Sequence, residues 1–163
     1  MTARTSRLDM RVEGPRVTLT GRIDDSASFG DLPAQLPAGG VTIDTGAVTF
    51  VNSIGMREWI RLVRVLRGRG RVTLERVADV LMTQMNLIPE LATSVAIASF
   101  HAQYACNKCG AESAPVVDAV AHAAALRQMT APAMPCLECG AAMELVDYPE
   151  RYLTIFKRRE PDS

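Results

Sequence analysis

Aromatic side chains are scarce in this sequence: one Trp, three Tyr and four Phe among 163 residues. Within the arginine-rich stretch from Arg57 to Arg71 the one aromatic is Trp59, which belongs to an apolar stripe, so a stacking platform for single-stranded nucleic acid is not evident. Net charge is lacking as well, with 18 Lys and Arg against 18 Asp and Glu. The surface as a whole therefore does not attract polyanions or anionic lipid, although a local basic patch stays open. No apolar run is long enough to span a bilayer. The opening "MTARTSRLDM" carries charge with no apolar core behind it, unlike a secretory signal. A cytoplasmic location is the expectation, and reducing conditions there disfavour structural disulfides. What the sequence does have is 48% hydrophobic residues, enough for a packed core and too many for global disorder. Its length suits one ordinary domain, or a small one followed by a very small one.

Leu8, Met10 and Val12 alternate with Asp9 and Arg11 as in a short strand. Glu13-Gly14-Pro15 is turn chemistry, and Val17, Leu19 and Ile23 predict a second strand with a bulge at Gly21, the pair forming an antiparallel hairpin. A polar, Pro- and Gly-bearing stretch follows, with room for one short helix. "GVTIDTGAVTFV" predicts a third, buried strand around 41–44. After Asn52-Ser53 the period changes. Met56, Trp59, Ile60, Val63 and Leu66 form one helical stripe that Gly68 is placed to stop. "RVTLERV" reads as a strand, "ADVLMTQMNL" as a short helix ending before Pro89, and "SVAIASF" as a further strand. The fold class is α/β (α+β): a mixed sheet with helices on one face. The cysteines begin near Tyr104, so the chain divides into residues 1–103 and a small unit of residues 104–163. Within the latter an alanine-rich middle reads as a strand passing into a helix, "AMELVDYPERYLTIF" as strands at Met143–Val146 and Tyr152–Phe156, and "KRREPDS" as a frayed end.

Four cysteines carry the strongest chemical signal. Cys106 and Cys109 form one C-x-x-C pair, Cys136 and Cys139 another, and each pair is followed by glycine, Gly110 and Gly140. Two intervening residues let a tight turn aim both sulfurs at one ion, and zinc takes four such ligands in a tetrahedron. Glycine lets the backbone fold beneath the metal so that amides face the sulfurs. The 26 residues between the pairs exceed the commonest spacing, which predicts a zinc ribbon with an insertion. A redox pair needs one such motif after a strand in a thioredoxin-like unit; here there are two, on turns. Four thiolates fill the shell, so the expected cofactor is structural Zn²⁺. The only histidines, His101 and His122, are read as ordinary surface or packing residues. So small a unit has too little core to fold alone and takes folding free energy from the metal.

At the strand-to-helix junction, serine and asparagine are both preferred N-caps, so Ser53 reads first as the cap of the helix, with Asn52 able to do the same. The segment "VTIDTGAVTFVNSIGMREWIRLVRVLRGRGRVTLERV", with Gly55, the Gly68/Gly70 turn and the later "MNLIP", resembles the centre of a STAS domain, the fold of bacterial anti-sigma-factor antagonists. The resemblance covers roughly residues 8–100. It implies a partner-binding domain in which the serine at the position of Ser53 is phosphorylated by a partner kinase, releasing or blocking an anti-sigma-like factor. Two departures stand out: Asn52 in place of aspartate and Ile54 in place of a second serine. The family's closing helix is also not seen after "SVAIASF".

Arg57, Arg61 and Arg64 concentrate positive charge on the same helix. They read as a solvated face, or, with Asn52 and Ile54, as a docking surface for an acidic protein partner. The functional expectation is a non-enzymatic signalling adaptor acting by protein–protein interaction. The alternative is a nucleic-acid-associated regulator that uses the ribbon and the arginine-rich face. No nucleophile–base pair, phosphate-binding glycine loop or open metal site argues for an enzyme.

Overall fold

The computed structural model describes residues 7–158; most of the tail expected to fray, and the first residues of the segment read as lacking a secretory signal, lie outside them. Strands β1 (Asp9–Glu13) and β2 (Arg16–Ile23) form the expected antiparallel hairpin. The Gly21 bulge is present as a register shift between Gly21 and Arg22. Its φ is +105°, and a Cβ there would stand 2.1 Å from the carbonyl oxygen of Arg7, so only glycine fits. A one-turn helix α1 (Leu32–Gln35) follows, then β3 (Val41–Val51). β3 runs well beyond the 41–44 stretch expected for it, because "AVTFV" continues to pair with β2.

Helix α2 (Ser53–Arg67) leads to β4 (Val72–Glu75), and α3 (Asp79–Met85) and α4 (Leu91–Ser94) lead to β5 (Ala96–Ile97). The sheet order is β1-β2-β3-β4-β5, antiparallel only at β1 and parallel from β2 to β5. Parallel neighbours need crossover connections, and α2 and the α3–α4 pair supply two of them. Val17, Ile43 and Leu74 stand side by side in register and are wholly buried. Met56, Trp59, Leu62, Val63 and Leu66 of α2 join the same core. The alternate strand positions, Thr18, Thr42, Thr73 and Glu75, point to the opposite face, as a period of two requires.

Beyond β5 come β6 (Ser99–His101), β7 (Tyr104–Cys106), β8 (Glu112–Ser113), β9 (Val116–Asp118), α5 (Ala123–Arg127), β10 (Met134–Pro135) and β11 (Ala142–Leu145). A four-stranded sheet, β10-β11-β7-β8, carries the cysteines. The alanine-rich middle is a strand and then a helix, β9 and α5, as expected. β9 leaves the cysteine-bearing sheet and pairs with β6 instead.

One assignment is corrected: Tyr152–Phe156 is not a strand but the centre of helix α6 (Glu150–Arg158). Its aromatic and β-branched content suggested a strand. However, Tyr152, Ile155 and Phe156 are also three and four apart, and together with Leu153 they bury one helical face. That face packs against α3, α4 and α5. Phe156 meets Phe100 with ring centroids 5.4 Å apart. Asn86 ties the contact: its Oδ1 accepts from the amide of Ile155 at 2.8 Å, and its Nδ2 donates to the carbonyl of Met82 at 2.8 Å. Elements on both sides of residues 103 and 104 thus share one continuous core.

Candidate functional site

Each C-x-x-C motif sits in the turn of a hairpin, β7–β8 for the first pair and β10–β11 for the second. The two knuckles are built alike. Cys106 and Cys136 donate their amides to the carbonyls of Ala111 and Ala141 at 2.8 Å, and Gly110 and Gly140 donate back to Cys106 and Cys136 at 2.9 Å. The glycines have φ of +80° and +79°, the left-handed conformation that closes such a turn. β11 pairs with β7, which brings the two turns face to face.

All four Sγ atoms lie within 4.8 Å of one another. Cys106 and Cys139 sulfurs are 3.5 Å apart, and those of Cys109 and Cys136 are 3.6 Å apart. Tetrahedral thiolate ligation with metal–sulfur bonds of about 2.3 Å requires sulfurs about 3.8 Å apart, so the donor set fits a four-coordinate ion. One buried and one exposed cysteine come from each pair. The electrostatics divide the sulfurs. Amides of Cys109 and Lys108, with help from neighbouring thiols, pull the Cys106 thiol down to about 6. At Cys109 the Ala111 amide acts downward, but the Cys136 thiol, burial and the other sulfurs push the net value up to about 12. Cys139 receives the Ala141 amide and is nonetheless raised, chiefly by Cys106. Several thiolates this close repel, and a shared cation removes the conflict. The amides facing the sulfurs are those that the sequence reading expects the glycine turns to supply.

His101 lies outside this cluster, its Nδ1 2.7 Å from the carbonyl oxygen of Ala114. Tyr104, at the base of the first knuckle, is buried and donates its hydroxyl to the carbonyl of Pro132 at 2.8 Å.

At the β3–α2 junction the cap is Asn52, not Ser53. The Asn52 backbone is extended, and its Oδ1 accepts from the amide of Gly55 at 2.9 Å. Ser53 is the first helical residue and is exposed, as is Ile54, which retains half of its accessible surface. Gly55 is pressed against the end of β2: a Cβ would stand 1.9 Å from the carbonyl oxygen of Ile23. Asp24 follows directly, a residue that sequence reasoning passed over. Hydrogen bonds from the Ser26 hydroxyl, Arg22 and the Ser26 amide hold its carboxyl down at about 2. The Arg22 guanidinium also lies 3.7 Å from the centroid of the Phe50 ring. The signal was local: an Arg-x-Asp-x-Ser run at the end of a strand, where a side-chain turn is expected.

The arginines are less available than a bare charged face. Arg64 is bidentate to Glu90, the residue that precedes α4, at 2.8 and 3.0 Å, and Arg61 pairs with Glu58 at 3.1 Å. Arg69 is spent on the carbonyls of Pro33, Leu36 and Pro37. Among the described residues Arg57 has no side-chain partner. No described helix is long and apolar enough to cross a membrane. Comparison with known proteins returns no matching family model, no significantly similar curated protein and no significantly similar solved structure.

Proposed function

We propose that the chain is a non-enzymatic protein-interaction module of the STAS type, interrupted before its last helix by a zinc ribbon. The observation that carries the reading is the β3–α2 junction. A capped, 15-residue helix presents Ser53 and Ile54 to solvent at its first turn, beside the loop that begins at Asp24. A single antiparallel strand ahead of four parallel ones supports the fold assignment. So does α6, which packs on α3 and α4 where a closing helix belongs. On this reading the cysteine-bearing segment is inserted between β6 and α6, and its zinc is structural. The two knuckles supply all four thiolates, amide donors temper their charge, and the ion contributes folding free energy.

Ser53 is the site of regulation. A phosphate on the first residue of a helix faces free amides and the positive end of the helix dipole, which hold it in place. It also adds nearly two negative charges beside Ile54, which changes what can dock. The partner is a protein that covers Ile54 with an apolar contact and meets the unpaired Arg57 with acid. A kinase or an anti-sigma-like factor is the class in view. The arginine pairings count against the nucleic-acid alternative, because Arg61 and Arg64 already pair at the surface with Glu58 and Glu90 of the same chain. Affinity purification with mass spectrometry, using wild type, Ser53→Ala, Ser53→Asp and Arg57→Glu chains, tests the reading. One partner retained by Ser53→Ala and lost by Ser53→Asp and Arg57→Glu is expected. Identical partners for all four, or capture of nucleic acid that weakens steeply with salt, would overturn it.

A further inference from the structure

A cavity that the docking reading leaves unused lies where the β5 edge, the segment between the two cysteine pairs and α6 meet. It encloses about 210 Å³. Its apolar lining includes Ile97, Ala119, Ala123 and Phe156, and Arg71 and Arg127 line it as well. Guanidiniums elsewhere are repeatedly matched: Arg16 with Glu75, Arg22 with Asp24, Arg64 with Glu90, Arg76 with Asp44 and Arg151 with Asp147. Arg71 and Arg127 have no side-chain hydrogen bond or ion pair among the described residues. Two arginines without a side-chain partner, 56 positions apart in sequence, thus line one largely apolar hollow.

We infer that this cavity binds a small organic anion, with a compact apolar body against Ile97, Ala119 and Phe156 and its anionic head held by Arg71 and Arg127. The size limits the ligand, since drug-sized molecules occupy roughly 300–1,000 Å³. The guanidinium fork suits a carboxylate or a phosphate monoester, and the apolar floor excludes a bare inorganic ion as the best occupant. An added peptide strand is a poor fit, because the carbonyl of Ala98 is already taken by the amide of Ala119 at 2.9 Å. A ligand here touches the sheet, the segment between the knuckles and α6 at once, and so clamps α6 and the metal-bearing segment to the sheet.

The test is a titration of the full chain, with zinc supplied, followed by amide NMR. The probes are benzoate, phenyl phosphate and neutral benzamide. Saturable shifts confined to residues 96–98, 119–127 and the neighbourhood of Phe156 are expected for benzoate or phenyl phosphate and not for benzamide. The tighter of the two anions tells carboxylate from phosphate. Arg71→Gln with Arg127→Gln, two exposed positions whose change leaves the free spectrum dispersed, should weaken binding by at least roughly tenfold. Ala123→Leu, which fills the hollow, should abolish it. Absence of saturation with both anions, equal binding of benzamide, or full affinity in the double arginine variant overturns the proposal.

Discussion

In the five-stranded sheet, Val17, Ile43 and Leu74 stand shoulder to shoulder with no exposed surface, under a helix that buries Trp59 completely. In the cysteine-bearing sheet the strands are two to four residues long, and what the two hairpins share at their tips is a cluster of sulfurs. Among the described residues, the segment from 104 to 146 buries only seven hydrophobic residues, Tyr104, Cys106, Val117, Ala119, Leu126, Cys136 and Met143, and two of these are cysteines. One region is held mainly by apolar area removed from water, whereas the other gathers four sulfurs in an arrangement compatible with a metal ion. α6 complicates the division, because it follows the second knuckle in sequence and buries Tyr152, Leu153, Ile155 and Phe156 in the apolar core.

Metal removal separates the two regions most forcefully. Structural zinc in small domains contributes about 10–16 kcal/mol of folding free energy, far more than the short hairpins gather from packing. Chelation, or Cys136→Ser, is expected to remove hydrogen-exchange protection from residues 104–113 and 134–146. β2, β3, β4 and α2 should stay protected. The fate of α6 sharpens the comparison: retained protection at Tyr152–Phe156 makes it part of the sheet's core. Loss of protection throughout the chain in a single step would abolish the distinction.

The same substitution, glycine to alanine, should fail in the two regions for different reasons. At Gly55 the obstacle is space: the added carbon meets the Ile23 carbonyl at 1.9 Å and the Asp24 amide nitrogen at 2.8 Å. Both are backbone atoms, so α2 must shift. A cost of ~3 kcal/mol is expected, at the upper end for overpacking, seen as a fall in Tm of roughly 10 °C. At Gly140 nothing lies within 4 Å of the new carbon, but φ is +79°. There the penalty is conformational, about 1 kcal/mol, and should appear as weaker metal retention in competition with a chelator.

What could be read in the sequence follows the same contrast. The hairpin at Gly14, the stripe of α2 and the cysteine pairs are local patterns, legible because periodicity and two-residue spacing are short-range. α6 was misread because its apolar residues satisfy a strand's composition and a helix's spacing together, and only α3 and α4, some seventy residues earlier, decide between them. The capping role was open between Asn52 and Ser53 for a similar reason: both side chains cap well, and the close approach of Gly55 to β2 sets which one precedes the helix. The shared lining of one hollow by Arg71 and Arg127 had no sequence signal, since it depends on β9 pairing with β6 rather than with the cysteine-bearing sheet.

Asn52→Ala isolates the cap from the rest of the junction. It removes the acceptor for the Gly55 amide and leaves Ser53 and Ile54 in place, so a loss of about 1 kcal/mol is expected by chemical denaturation. If Ser53 instead takes over the capping role, the loss shrinks to a few tenths. Asn52→Ser, which keeps an acceptor at that position, should recover most of the stability.

Arg64→Ala gives the smallest expected change and the cleanest discrimination between a structural and a docking role for the arginine face. Arg64 and Glu90 are both substantially exposed, at 64% and 46%, so their bidentate pair is screened by solvent and contributes no more than about 0.5 kcal/mol. It nevertheless joins α2 to the start of α4. Deleting it should therefore leave Tm almost unchanged while raising hydrogen exchange at residues 90–94. Arg57→Ala, with no described partner to lose, should alter neither quantity and act only on partner binding. If Arg64→Ala weakens partner binding more than Arg57→Ala does, the docking surface lies further along α2 than the Ser53–Arg57 turn.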